Sequence, residues 1–186
     1  PLFPMKLIEQ LSPEMQDLLK DLVEHTRGCL GENLAGVYLH GSLAMSCFNP
    51  VSSDIDILIV VKDSMGLDTK QNIGDSFIQL IKKYPTNKLE LSIVTLDVLK
   101  NFQYPTPYEL HFSNEHVKDF TGGDFDLMKT RQDADLAAHF VITKNRGICL
   151  YGESIAFIFP DVPDEYYLKS IAQDFDWSYN NVSNGQ

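Results

Sequence analysis

The chain has 186 residues, 44% of them hydrophobic and 22% charged, so it can fold around a core without support from disulfides or metal ions. Its 26 acidic residues outnumber its 15 basic ones, and the resulting net charge of −11 argues against a nucleic-acid-binding protein, which usually carries a basic surface. No signal peptide is evident and no apolar run approaches the roughly 20 residues of a membrane span, so we expect a cytoplasmic protein with neither a nucleic-acid nor a membrane partner.

The first elements in chain order are a helix and two strands. Ser12 and Pro13 are typical of a helix start, and apolar residues at helical spacing continue to Gly28, which we expect to end the helix. The apolar run Leu34–His40 predicts a strand, and a turn-rich stretch follows it. Asp54–Val61 predicts a second strand, in which the two acids share one face with Leu58 and Val60 while four isoleucine and valine side chains occupy the other.

The rest of the chain predicts further helices between strands. Thr69–Tyr84 has a helical stripe of apolar residues, and Leu89–Thr95 is expected as a third strand. Tyr108–Phe112 and Ile148–Tyr151 are expected as short strands on either side of a helix at Asp133–Lys144. This order of elements predicts an α/β (α+β) fold with a mixed sheet flanked by helices.

A proline-containing segment follows the last predicted strand. Pro160 and Pro163 interrupt the pattern there, which predicts a domain boundary. A further helix is expected over Asp164–Trp177. The three cysteines form no CxxC pair and are expected as reduced, mostly buried thiols; they are Cys29, Cys47 and Cys149.

Polar residues lie where the first three predicted strands begin or end. Asp54 and Asp56 open the second strand at positions i and i+2, so their carboxylates point to one face with Cα atoms about 6.5 Å apart. Two like charges placed so closely are costly unless a divalent cation binds them, and Mg²⁺ prefers carboxylate and phosphate oxygens. Glu90 is the only acid on the third strand. It is positioned either to complete a two-metal site or to act as a general base.

Gly41 and Ser42 come directly after the first strand. A glycine followed by a hydroxyl residue lets backbone N–H groups approach a phosphate closely, so this pair is expected to contact a nucleotide. The neighbouring His40 is expected either to orient a phosphate or to pack. Each of these features is weak by itself, but their order and spacing together favour a nucleotide and metal site.

The same motifs resemble the signature of the DNA polymerase beta-like nucleotidyltransferase superfamily, in which a Gly-Ser or Gly-Gly pair is followed after about ten residues by Asp-hydrophobe-Asp. Leu39–Ser42 and Ser53–Ile57 carry this resemblance. Other segments resemble the aminoglycoside adenylyltransferases that modify streptomycin and spectinomycin. These segments are Gly41–Ala44, Cys47–Pro50, Tyr104–Ser113, Asp135–Phe140 and Arg146–Gly152.

The resemblance implies a polymerase beta-like nucleotidyltransferase fold and an enzyme that transfers AMP from ATP to a hydroxyl of a cationic aminoglycoside, releasing pyrophosphate. Asp54 and Asp56 fall on the family's magnesium ligands. Glu90 falls on its general base and is also expected among the metal ligands. The loop that holds the triphosphate is matched by Gly41, Ser42 and Ser53. The implied cofactor is Mg²⁺, with ATP as the nucleotide substrate.

The resemblance also implies how the chain divides. Residues 1–160 are expected to form the catalytic domain, and residues 161–186 the first helix of a truncated C-terminal helical domain.

The family often has glycine where this chain has Ser46. Two alternatives stay open at this point: a nucleotidyltransferase that acts on a protein or another small molecule, and a non-catalytic nucleotide-binding module. The sequence does not indicate an oligomeric state.

Overall fold

A five-stranded mixed sheet is the centre of the fold, as described for residues 7–114, 117 and 131–172 by a computed structural model. The strands are β1 (Leu34–His40), β2 (Ile55–Val61), β3 (Leu89–Thr95), β4 (Thr106–Tyr108), β5 (Leu110–Ser113), β6 (Arg131–Asp133) and β7 (Ile148–Gly152). The helices are α1 (Pro13–Leu30), α2 (Gly41–Ala44), α3 (Leu67–Lys83), α4 (Leu96–Lys100), α5 (Leu136–Arg146) and α6 (Ile155–Ile158), and residues 164–172 are also helical.

The order of strands in the main sheet is β5-β3-β2-β1-β7, while β4 and β6 form a separate pair. Only β2 and β3 run parallel to each other, and α3 makes the connection between them; the other neighbours in the sheet are antiparallel. The α/β prediction with a mixed sheet is therefore confirmed. Within the described part of the chain, no helix is both long and apolar enough to cross a membrane.

The two faces of the sheet are covered by different helices, as the alternation along β2 predicted. Ile55, Ile57 and Ile59 lie in a core formed with α1 and α3. On the other face, Leu58 and Val60 belong to a second core that includes residues of α4 and α5. This second face is polar at one end, where β2 and β3 begin, and that end holds the acids discussed below.

Helix α1 begins where the sequence predicts and ends later. The Ser12 side chain accepts a hydrogen bond from the Met15 N–H at 3.2 Å and caps the first turn. The predicted end at Gly28 is wrong, because the helix continues to Leu30 and Gly31 forms the C-cap with φ +52°. A positive φ is readily adopted only by glycine, and the second of two nearby glycines provides it here.

Three other expectations are corrected in detail. The single predicted strand Tyr108–Phe112 is divided at Glu109 into β4 and β5. The predicted helix Asp133–Lys144 begins only at Leu136, since Asp133 ends β6. The cysteines are free, but none is buried, and the Cys47 side chain is exposed because it lies in the loop after α2.

A nearly buried ion pair links α3 to the segment between β4 and β5. Lys70 Nζ lies 3.2 Å from Glu109 Oε2, with side-chain exposures of 9% and 15%, and the same oxygen accepts a hydrogen bond from the Met65 N–H at 3.0 Å. We expect Lys70→Met to lower the free energy of unfolding by about 3 kcal/mol, since it leaves the carboxylate without its charge partner. Urea denaturation measures this difference.

A matched control is Lys83→Met, which removes the ammonium from an ion pair with Asp21 at the surface of the α1–α3 contact. The Lys83 side chain is largely exposed, so water replaces the lost partner and the change in stability should be clearly smaller than for Lys70→Met. If the two substitutions lowered the free energy of unfolding equally, burial of the Lys70–Glu109 pair would not be the reason for its effect on stability.

Candidate active site

The acids predicted from the sequence come together through the register of the strands. In the parallel pair β2–β3, Asp56 lies directly opposite Glu90, and in the antiparallel pair β1–β2 it lies opposite His40. Adjacent strands are about 4.8 Å apart, and residues in direct register point to the same face. Asp56 and Glu90 therefore share one face of the sheet, where the sequence analysis placed them.

Asp54 lies just before β2, at the mouth of a cleft of about 550 Å³ that it lines together with Glu90. Its Oδ1 atom is buried and accepts no hydrogen bond from the described residues. A buried carboxylate oxygen without a donor is unfavourable, because its desolvation is not compensated. The position suits a bound cation.

The surroundings of the Asp56 carboxyl group disfavour its charged form. Burial, followed by the nearby carboxylates of Glu90 and Asp54, raises the pKa of Asp56 to about 7. Both causes disfavour the charged form, and a divalent cation between these acids would oppose both. The donor set, which consists of carboxylate oxygens, matches the preference of Mg²⁺.

Gly41 forms the turn that brings the end of β1 against Asp56. It has φ +65°, and a Cβ atom built on it would lie 1.8 Å from Asp56 Oδ2. Only glycine allows this contact. Ser42 follows in the single turn of α2, so the turn-rich stretch predicted here begins with a helical turn. The carbonyl of Ser42 accepts a hydrogen bond from the Cys47 N–H at 3.0 Å, which closes the turn.

Ser53 belongs to the loop that leads into β2. Its hydroxyl accepts a hydrogen bond from the Asn49 N–H at 3.1 Å, and its own N–H donates to the Asn49 carbonyl at 2.8 Å. These bonds hold the loop between α2 and β2 closed. Ser46, in the same loop, has φ +61°, which explains why a glycine is favourable at this position.

The structure gives the position of His40, which was left open between orienting a phosphate and packing, and adds Ser92 and His111, which the sequence analysis did not assign to the site. His40 is 4% exposed, and its ring centroid lies 4.9 Å from that of His139 on α5. Burial, together with His139, lowers the pKa of His40 well below its usual range, so the ring is neutral; in the β1–β2 pair His40 lies opposite Asp56. On the other side of Glu90, Ser92 and His111 form a hydrogen-bonded pair. Alternation along β3 already places Ser92 on the face of Glu90.

Three aromatic residues of the segment Tyr104–Ser113, which resembles the adenylyltransferases, have different positions in the fold. Phe112 is completely buried in the first core. Tyr104 stacks on Tyr166 of the helical segment 164–172, with ring centroids 4.9 Å apart. Tyr108 alone of the three lies near the site, with its ring 6.2 Å from that of His111. The end of the predicted helix Asp164–Trp177 lies outside the described residues.

As they stand, the described residues include no group of three His, Cys, Asp or Glu side chains arranged to hold a metal ion by themselves. Mg²⁺ is commonly bound by one or two carboxylates, with substrate phosphates and water completing its shell. Asp54 and Asp56 would supply the one or two carboxylates of such a site, and phosphates and water would supply the other ligands.

The sequence of residues 17–122, more than half of the chain, matches the nucleotidyltransferase domain family. The chain belongs to this family. The resemblance to nucleotidyltransferases that the motifs of this chain indicate is thereby confirmed.

Two curated relatives of this family member are adenylyltransferases. Spectinomycin 9-adenylyltransferase of Staphylococcus aureus is 26% identical over 137 residues, which are 72% of this chain and 52% of that protein. Aminoglycoside (3'') (9) adenylyltransferase of Escherichia coli is 23% identical over 163 residues, 86% of this chain and 59% of the relative. The chain thus spans only slightly more than half the length of these relatives.

Among solved structures, this chain resembles spectinomycin adenyltransferase AAD(9) from Enterococcus faecialis, determined with ATP and spectinomycin. The TM-score is 0.79 at 22% sequence identity, and the match covers 92% of this chain and 68% of that one. The similarity establishes a common fold. The division at residue 160 stays a prediction, since residues 164–172 are helical and the residues beyond them are not described.

Proposed function

We propose that this protein is a Mg²⁺-dependent nucleotidyltransferase that transfers AMP from ATP to a hydroxyl group of an aminoglycoside of the streptomycin and spectinomycin type. The observation on which the proposal depends is the register of β2 and β3, which sets Asp56 beside Glu90 next to the Gly41 turn. The names of the curated relatives and the ligands of the AAD(9) structure support the choice of ATP and an aminoglycoside as substrates.

In this proposal Asp54 and Asp56 hold Mg²⁺, and Glu90 adjoins the metal. The unpartnered Oδ1 atom of Asp54 and the raised pKa of Asp56 are both consistent with a cation at this position. Bound there, Mg²⁺ would neutralise charge on the triphosphate and on the departing pyrophosphate. The backbone at Gly41 and the hydroxyls of Ser42 and Ser53 hold the phosphates.

Glu90 is the general base. It accepts the proton of the acceptor hydroxyl while that oxygen forms a bond to the α-phosphorus, and the bond from the α-phosphorus to the β-phosphate oxygen breaks. The products are an AMP ester of the acceptor and pyrophosphate. The net charge of −11 favours the approach of a cationic acceptor and opposes that of ATP, whose charge a bound cation would offset.

The test is pyrophosphate release from ATP and Mg²⁺ in the presence of streptomycin or spectinomycin. We expect release that depends on the aminoglycoside, and we expect Asp54→Asn to reduce it at least about a hundredfold by removing a charge from the metal site. Asp17→Asn, a matched change at an exposed position of α1, should leave the rate unchanged.

Other outcomes would replace parts of the proposal. Activity that survives Asp54→Asn would contradict the assigned site. Absence of release with a panel of aminoglycosides, combined with transfer of label from ATP to protein in a cell extract, would keep the nucleotidyltransferase chemistry and change the acceptor. Mg²⁺-dependent binding of ATP without any transfer would identify a nucleotide-binding module.

A further inference from the structure

Ser92 and His111 form a hydrogen-bonded pair beside the three acids, and the chemistry above gives neither residue a role. They are directly opposite each other in the β3–β5 pair, and Ser92 Oγ lies 3.0 Å from His111 Nδ1. Ser92 is 4% exposed, so its hydroxyl is shielded from solvent and its bond to the imidazole is persistent. The Nδ1 atom of His111 is thereby hydrogen-bonded to a residue of β3.

A second contact fixes the plane of the His111 ring. The ring of Tyr108 meets it in an edge-to-face arrangement, with centroids 6.2 Å apart. His111 itself is only partly buried and lines the same cleft as Asp54 and Glu90. The imidazole is therefore a preorganised polar group at the wall of the cleft, held on one side by Ser92 and on another by Tyr108.

The strand order, combined with the proposed function, places the His111 side of the cleft relative to the two substrates. From β1 across to β5, the residues on this face are Gly41 at the end of β1, Asp56 on β2, Glu90 on β3 and His111 on β5. In the proposed function the triphosphate lies over β1 and β2, and the base on β3 contacts the attacking hydroxyl. Attack in line with the departing pyrophosphate comes from the side opposite to it, so the acceptor lies towards β5.

We propose that His111 binds the acceptor, donating or accepting a hydrogen bond at a hydroxyl next to the one that Glu90 activates, and that Ser92 positions the imidazole for this contact. The inference depends on the proposed function for the location of the two substrates. The inference gives Ser92 and His111 a role in binding the acceptor. Such a contact would select acceptors that carry a second hydroxyl close to the reacting one. Glu90 and His111 are diagonal neighbours on adjacent strands, a separation of about 7–8 Å between Cα atoms, which allows two neighbouring hydroxyls to reach both.

The test compares Michaelis constants for the two substrates in the full chain. We expect His111→Ala to raise KM for spectinomycin or streptomycin about tenfold while KM for ATP changes less than about twofold, since one hydrogen bond to the acceptor is lost. Ser92→Ala should act in the same direction with a smaller effect. His111→Gln, whose amide reaches towards the cleft, should restore much of the affinity, whereas His111→Asn, which keeps only the contact with Ser92, should not.

The chain offers a matched control pair. His25 and Ser76 are also a hydrogen-bonded histidine and serine, with His25 Nδ1 2.7 Å from Ser76 Oγ, but they join α1 to α3 away from the cleft. His25→Ala and Ser76→Ala should leave both Michaelis constants unchanged. Thermal melting of all variants identifies any effect that arises from loss of folding.

A binding measurement separates this inference from the proposed function. We expect spectinomycin or streptomycin to shift the NMR resonance of the His111 ring in the unaltered protein without ATP, and Mg²⁺ with ATP alone to shift it less. No shift with either drug, or a His111→Ala variant in which only KM for ATP changes, would overturn the inference. An unaltered protein that shows the drug-induced shift but releases no pyrophosphate would contradict the proposed transfer reaction and retain His111 as an acceptor contact.

Discussion

Replacing Gly41 with alanine is expected to reduce aminoglycoside-dependent pyrophosphate release at least about a hundredfold while the protein stays folded. The added Cβ atom would lie 1.8 Å from Asp56 Oδ2, so either the turn or the carboxylate must move. Displacements of about 1 Å in a catalytic constellation typically cost two orders of magnitude in rate. The positive φ of +65° adds a backbone penalty of about 1–2 kcal/mol for any residue with a side chain.

The control for Gly41→Ala is the same substitution at Gly28. Gly28 lies inside helix α1, and a Cβ atom there would meet no other atom within 4 Å. We expect Gly28→Ala to raise the free energy of unfolding by about 0.5–1 kcal/mol, because alanine loses less backbone entropy in a helix, and to leave the rate unchanged. Comparable rates for Gly41→Ala and Gly28→Ala would show that the turn does not determine the position of Asp56.

The sequence predicts the site well where the information is local. Alternation along a strand has a period of two, so Asp56 had to share a face with Leu58 and Val60, and Glu90 had to share one with Ser92. The strand Leu34–His40 is buried along its whole length because both faces of the sheet are covered, and its limits agree with the prediction. These features depend only on the chain within a few residues.

Features that depend on the pairing of strands could not be predicted in the same way. His111 reaches Ser92 only because β5 pairs antiparallel with β3, and nothing near His111 in the sequence specifies that neighbour. Gly28 and Gly31 both favour a helix end by residue type, and which of them ends α1 depends on where the chain must turn towards β1. Cys47 was expected to be buried from its residue type, but its loop is exposed.

Glu90→Gln is expected to lower kcat by 10²- to 10⁴-fold with little change in KM for ATP, the range typical for loss of a general base. The amide has nearly the size and shape of the carboxylate but accepts no proton at neutral pH. The substitution removes one of the charges that raise the pKa of Asp56, so the Asp56 carboxyl group stays ionised more readily. In the proposed function this group holds Mg²⁺, and we therefore expect nucleotide binding to change little. Steady-state kinetics with each substrate varied in turn measures the two parameters separately.

The charge change itself must be separated from the loss of the base. Glu32→Gln removes the same charge at an exposed position in the turn before β1, and it should leave kcat unchanged. Glu90→Asp tests position instead of chemistry, because it keeps the carboxylate but withdraws it by about one methylene; an intermediate kcat is expected if the proton must be taken at a defined point. If Glu90→Gln and Glu32→Gln have the same kcat, the proton of the acceptor leaves by another route, and the register of Asp56 with Glu90 then serves the metal site alone.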